Sequence, residues 1–360
     1  MLAVINACAS APRSGPTFQQ RPWPAYLGSA RRAPAGDAEP GAELQPVWRM
    51  HLARGISGAP AVGEDVLVLS QTDRQVALLD RATGEVLWRR RVAYPLGAGP
   101  LLAYDRILVA EQTPDGSLRA LRLEDGKGLW SVRAGDVAAP LALADSVVYA
   151  GTTSGQVLQV TTSIGAKRWV TRVEGAVRTA PVPVPGGVVV ATDADSLFLL
   201  DGGTGAVKLR RASRGTVLAA PALSDSTLVI GTASGWLVAL DPKTLTERWS
   251  LDAGGPIVGA VVAWGGSFYA MTGPGTLVVV PREGPAAARR IDVGLVARAG
   301  PAPTSGGVYV CGVNGEIALV DSLGNRLWQT RLEGPISEPV LGEGSTLFAI
   351  SQRGNVVAFR

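Results

Sequence analysis

Apolar residues in this chain come in short runs separated by polar turns, and the turns keep a fixed beat. Runs such as Leu67-Val68-Leu69 and Val147-Val148-Tyr149 are β-rich and too short for helices. A Pro that follows a small or polar residue recurs at Pro60, Pro100, Pro140, Pro181, Pro221, Pro301 and Pro339, at spacings of 40, 40, 41, 40, 80 and 38 residues. The missing beat falls at Ala260, where Ile257-Val258-Gly259-Ala260-Val261 continues the pattern without its Pro, so the chain holds eight units.

Each unit carries the same punctuation. A tight turn follows the Pro, as in Gly63-Glu64-Asp65 or Ala144-Asp145-Ser146, and a short apolar strand comes next. A second turn bears hairpin pairs such as Asp115-Gly116, Ser234-Gly235 and Asn314-Gly315, which accept the positive φ angles of two-residue hairpins. A third strand such as Val76-Ala77-Leu78-Leu79-Asp80 leads to the turn Arg81-Ala82-Thr83-Gly84 and a fourth strand bearing Trp88. Four antiparallel strands repeated eight times predict an all-β fold, an eight-bladed β-propeller of four-stranded blades. The eighth unit stops after its third strand, at Phe359-Arg360, whereas Trp48 precedes Pro60 by 12 residues as Trp88 precedes Pro100. The strand around Trp48 is therefore predicted to close the last blade.

Composition narrows the chemistry. The 45 Gly and 25 Pro exclude long helices, since an interior Gly costs about 1 kcal/mol and a Pro about 3. With 46% hydrophobic and 18% charged residues, the chain has enough apolar surface for a large core. The long uncharged stretch from Ala253 to Pro281 is interrupted by Gly and Pro and reads as one more unit, not as a membrane span. A single histidine, His51, leaves little room for His-based catalysis. The net charge of +4 is spread without the basic runs that follow nucleic acid. Cys8 and Cys311 form neither a disulfide framework nor a zinc motif, and Cys311, in Val308-Tyr309-Val310-Cys311, reads as a small buried hydrophobe.

The repeated residues have structural readings. Trp48, Trp88, Trp130, Trp169, Trp249 and Trp328 hold one place in six units, with Leu209 in the fourth and no aromatic in the sixth. A Trp on a rim strand is expected to dock neighbouring blades, where its area dominates packing; a row of ligand-stacking rings would lie far from any central pocket. Asp80, Asp201, Asp241 and Asp321 each open a turn, where a carboxylate accepts backbone N–H bonds. Related by rotation about a ring, they cannot converge as catalytic or metal-binding carboxylates.

The motif Leu79-Asp80-x-x-Thr83-Gly84-x-x-x-Trp88, with weaker copies at Leu200-Asp201-x-x-Thr204-Gly205 and Leu240-Asp241-Pro242-Lys243-Thr244, resembles the repeat of pyrroloquinoline-quinone dehydrogenases and their noncatalytic relatives. The quinone enzymes are much longer, bind calcium through acidic and Asn side chains, and often carry an adjacent Cys-Cys ring. This chain departs from them on each point, so the resemblance implies no enzymatic activity, no cofactor and no metal. Its layout is similar to the BamB family of outer-membrane β-barrel assembly lipoproteins, which are eight-bladed propellers with the same terminal closure. That family also tends to lose the sixth Pro, as at Ala260, and often begins its last blade Glu-Pro-Val, as at Glu338-Pro339-Val340.

The resemblance implies a lipid-anchored scaffold at the periplasmic face of the outer membrane. Its implied partner is the barrel-assembly subunit, a BamA-like protein. Ile5-Asn6-Ala7-Cys8 resembles a lipobox, which makes Cys8 the candidate lipid attachment site; the alternative is an ordinary Cys in a leader. Residues 1–45 read as signal remnant, tether and linker, and residues 46–360 as the propeller. Trp23-Pro24-x-Tyr26 is expected to pack on that propeller. In the family, loops leading into blades 4 and 5 contact the partner, which points here to Val177 and Arg178, and to Arg214, Val217 and Leu218. The family's acidic pair is absent from the second loop, 212–218. A second reading of these loops folds the valines over the channel mouth and leaves the arginines solvated. A quinone-dependent oxidoreductase and an extracytoplasmic sensory or adhesive propeller are the competing functions.

Overall fold

The structure is a computed structural model that describes Leu27 and residues 44–343 and 345–360. The described strands form eight four-stranded antiparallel sheets, seven of them built from consecutive strands. The sequence of each unit explains the gradient of burial across its blade. Second strands are buried along most of their length, and from end to end in Val66–Ser70, Val147–Gly151 and Thr346–Ile350, because neighbouring blades cover both faces. Their sequences are accordingly apolar at their centres, with polar residues only at the strand ends. Fourth strands alternate between exposed and half-buried positions, as in Arg326–Arg331, and carry the charges.

In seven blades the ladder between third and fourth strands slips by one residue just before the repeated Trp position. In blade 1, Leu78 pairs with Trp88 and Leu79 with Val86, so Leu87 is the extra residue and is turned out to solvent. Such a bulge bends the strand and aims the indole at the next blade. Trp48 Nε1 donates to Arg81 O at 3.0 Å, Trp88 to Leu123 O at 2.8 Å, Trp130 to Thr162 O at 2.8 Å and Trp169 to Gly202 O at 3.2 Å, each in the following blade. Trp249 and Trp328 instead lie 6.2 Å from Phe268 and 5.4 Å from Phe359, again across a blade boundary.

The ring closes as its ends predict. Pro46–His51 pairs antiparallel with Asn355–Phe359, with Trp48 opposite Ala358 and His51 opposite Asn355. Gln45 and Arg360 exchange backbone hydrogen bonds of 3.0 Å in both directions, which extends the ladder beyond the strand ends. The cores lie between blades: Val68, Val76 and Trp88 of blade 1 pack with Ile107 and Val109 of blade 2. Leu27 is buried in the cluster that holds Leu52, Ile56, Ala59, Ala220 and Ala260. Trp23 and Tyr26, expected to pack on the propeller, lie outside the described residues.

Blade 6 departs from the repeat in an informative way. The residues around 253–281 form its strands Ile257–Trp264, Ser267–Thr272 and Thr276–Pro281. Val262 pairs with Tyr269 as Ala222 pairs with Val229, so the position of the lost Pro is Val261, one residue beyond the expected Ala260. The Val261 N–H donates to Ala220 O at 3.0 Å, and the Ala220 N–H donates to Gly259 O at 2.9 Å. A Pro at 261 would lack the first of these donors.

Candidate functional site

The loops that join each fourth strand to the next blade share one face of the ring with the hairpins between second and third strands. Each hairpin ties down the loop entering its own blade: an N–H donates to a loop carbonyl, from Thr72 to Gly55 in blade 1 round to Gln352 and Pro335 in blade 8, at 2.7–3.0 Å throughout. The loops are thus held in one shape before any partner arrives, which reduces the entropy lost on binding.

The loop into blade 4 hangs on Asp193. Its Oδ1 accepts from the Ala176 N–H at 2.7 Å and its Oδ2 accepts from Arg178 Nε at 3.2 Å. Arg178 stays half exposed, with its guanidinium spread over the hairpin. Val177 is fully buried; its side chain sits on Gly151, where a Cβ would meet Val177 Cγ1 at 2.3 Å. Glu174 on the same loop pairs with Arg210 at 2.5 Å.

The loop into blade 5 is held by Asp195 and by blade 5 itself. Asp195 accepts from Thr216 Oγ1 at 2.7 Å, and Ser234 Oγ donates to Arg214 O at 2.7 Å. Arg214 makes a bidentate pair with Glu247, both bonds 3.1 Å, while its guanidinium lies 5.0 Å over the Trp236 ring. The Ser250 hydroxyl and Arg214 together hold the Glu247 carboxyl below its ordinary range. Val217 is buried, and Leu218 beside it is 54% exposed.

Of the five loop residues named from sequence, Arg178, Arg214 and Leu218 therefore present surface, and Val177 and Val217 fold inward as seats for the loops. The sequence reading passed over Asp193, Asp195, Trp236 and Glu247. Two of these stand in the hairpin Asp193-Ala194-Asp195 between the loops, and the D-x-D spacing was its only available signal. Spacing alone could not have shown that the hairpin of one blade braces the loop entering the next.

The repeated turn carboxylates serve their own turns. Asp80 Oδ1 accepts from the Thr83 N–H and hydroxyl, Asp201 Oδ1 from Gly203, Thr204 and the Thr204 hydroxyl, and Asp241 Oδ1 from Lys243 and Thr244. Among the described residues no three His, Cys, Asp or Glu side chains converge as metal ligands. Cys311 is buried, and desolvation pushes its thiol up to about 12, away from nucleophilic chemistry. No described helix is long and apolar enough to cross a membrane. Cys8 lies outside the described residues.

A sequence model of the family described as "Outer membrane protein assembly factor BamB" matches residues 37–180, 114–284 and 165–360. A relative of that description from Burkholderia pseudomallei is 29% identical over 181 residues, which is 48% of this chain and 46% of the relative. The aligned part thus spans about half of that relative's length. The crystal structure of BamB from Moraxella catarrhalis superposes with a TM-score of 0.71 at 17% identity, covering 88% of this chain and 100% of that one. A quinohemoprotein alcohol dehydrogenase from Comamonas testosteroni gives a TM-score of 0.76 at 12% identity, covering 94% of this chain and 80% of that one. At such identities the two structures share the fold alone.

Proposed function

Because this chain belongs to the family described as outer membrane protein assembly factor BamB, we propose that it is a noncatalytic scaffold in the assembly of outer-membrane β-barrel proteins. It works at the periplasmic face of the membrane, tethered through a lipid on Cys8, and its partner is the BamA-like barrel-assembly subunit. The observation that carries this reading is the family match running across all eight blades, from residue 37 to 360. The braced loops on one face support it, because they offer a rigid, partly apolar surface rather than a reaction centre. A quinone-dependent oxidoreductase shares this fold, but here each repeated carboxylate is engaged by its own turn.

The binding surface is Arg178, Arg214 and Leu218, with Asp193 and Asp195 between them. The acidic pair missing from the second loop is supplied by this hairpin, so the surface keeps both signs of charge. Both arginines are already oriented by intramolecular partners, which suits them as interface anchors. Breaking either exposed ion pair costs under about 1 kcal/mol of stability. Losing a hot-spot Arg weakens binding by about 2 kcal/mol or more, roughly thirtyfold.

The test is a pull-down from detergent-solubilised membranes with Arg178→Ala, Arg214→Ala and Leu218→Asp, singly and combined, beside their melting temperatures. Lost recovery of the partner at near-wild-type melting temperature is the expected result. Unchanged recovery in the triple variant would remove these loops from the interface.

A further inference from the structure

On the flank of the ring, between blades 7 and 8, a cleft of about 370 Å³ opens to solvent. Its base is apolar, formed by Leu332, Val357 and Phe359, which are buried side chains of the two blades. Its mouth is cationic. Arg49 and His51 lie two apart on Pro46–His51 and so point to the same side, while Arg331 ends the fourth strand of blade 7 and faces them across the cleft.

The charges around this mouth do not cancel. Glu333, the one acid lining the cleft, is taken by Arg353 at 2.9 Å. Glu316 is engaged by Arg326 at 2.5 Å and lies 4.0 Å from Arg331. Arg49 has no ion pair among the described residues. His51 is the only histidine in the chain, and its tautomer is set by its neighbour. Asn355 Nδ2 donates to Glu333 O at 2.8 Å and to Ser351 Oγ at 3.3 Å, so Asn355 Oδ1 must be the atom 3.0 Å from His51 Nδ1. Nδ1 therefore carries a proton that it donates to Asn355, which fixes the ring at the mouth of the cleft beside Arg49 and makes it a reporter of what binds there.

We propose that this cleft binds an organic carboxylate, its oxyanion held by the guanidinium groups of Arg49 and Arg331 beside His51, and its apolar portion resting on Val357 and Phe359. The volume is that of a small-molecule site, and an apolar base below convergent polar groups is the usual construction of one. Arg suits the role because its planar fork matches a carboxylate. The site lies on blades 7 and 8, away from the loops into blades 4 and 5, and does not depend on the function proposed above.

A one-histidine protein gives one imidazole C2–H proton resonance, so the test is proton NMR of the full chain at fixed pH with phenylacetate as the probe. The expected result is a saturable shift of that resonance. Its dissociation constant should rise at least tenfold in Arg331→Gln and in Arg49→Gln, with melting temperatures unchanged. Inorganic phosphate should bind several-fold more weakly for want of an apolar portion, and neutral benzyl alcohol should leave the resonance in place. A resonance that phenylacetate does not move, or moves equally in both Arg variants, would overturn the site. Phosphate matching phenylacetate would overturn the apolar seat, and benzyl alcohol matching it would overturn the role of the anion.

Discussion

Each docking Trp in blades 8, 1, 2 and 3 lies on a glycine of the next blade. A Cβ on Gly84 would come within 2.6 Å of the Trp48 ring, and one on Gly165 or Gly205 equally close to Trp130 or Trp169. These glycines also have φ near +70°, so shape and backbone ask for the same residue. Where blade 4 replaces the Trp with Leu209, blade 5 replaces the glycine with Leu245, which keeps the positive φ of 53° and is buried against Leu209. The two departures from the repeat therefore compensate each other across a blade boundary. Leu209→Trp alone should crowd Leu245, and Leu245→Gly alone should leave a void, each destabilising by about 1–3 kcal/mol. The double variant should be more stable than either, with a coupling of about 1 kcal/mol or more in denaturant melts. Simple additivity of the two single effects would show that this pair does not set the fit between blades 4 and 5.

At the scale of the element, the recurring unit is the Asp turn between third and fourth strands. Arg248, at 2.8 Å, and the N–H groups of Lys243 and Thr244 hold the Asp241 carboxyl down to about 2, and Lys208 leads the set that holds Asp201 lower still. A carboxylate whose folded pKa lies below the unfolded value of about 3.9 contributes stability that is present above that value. The contribution is lost as pH falls through the folded pKa, so the window for Asp241 runs from about pH 4 to about pH 2. Asp241→Asn keeps an oxygen for the turn but loses the charge that Arg248 faces. Its melting temperature should lie below wild type at pH 7, and the gap should close between pH 4 and pH 2. A gap that persists at pH 2 would assign the effect to turn geometry instead of charge. The turns, the strands and the eightfold count were legible in the sequence because each rests on local chemistry, Asp and Gly at fixed offsets and short apolar runs. The loops were legible only as places. Whether Val177 faces outward or down onto Gly151 depends on a glycine 26 positions earlier in a different blade, and a one-dimensional pattern does not encode that contact.

For the whole molecule, closure is the property on which everything else depends. A ring of blades leaves only short, protected edges, but it must be joined once, and here the joint is Pro46–His51 added to the outer side of Asn355–Phe359. Without that strand, Asn355–Phe359 would become an unprotected edge, and Trp48 would leave the turn at Arg81 that it caps in blade 1. A chain lacking residues 44–52 should aggregate and lose its cooperative melt. That result alone would not separate closure from general loss of core, so the informative variant moves the strand instead of removing it. Gln45 and Arg360 already face each other with paired backbone bonds, at a spacing a tight turn can span. Placing residues 46–52 after Arg360 through an Asn-Gly turn rebuilds blade 8 as one continuous hairpin sheet, the form its seven neighbours have. This permuted chain should recover solubility and a single melting transition within a few degrees of wild type, about the shift that 1 kcal/mol produces in a domain of this size or smaller. If it aggregates as the truncated chain does, the covalent link between the N-terminal segment and blade 1, not the pairing of the last blade, holds the ring together.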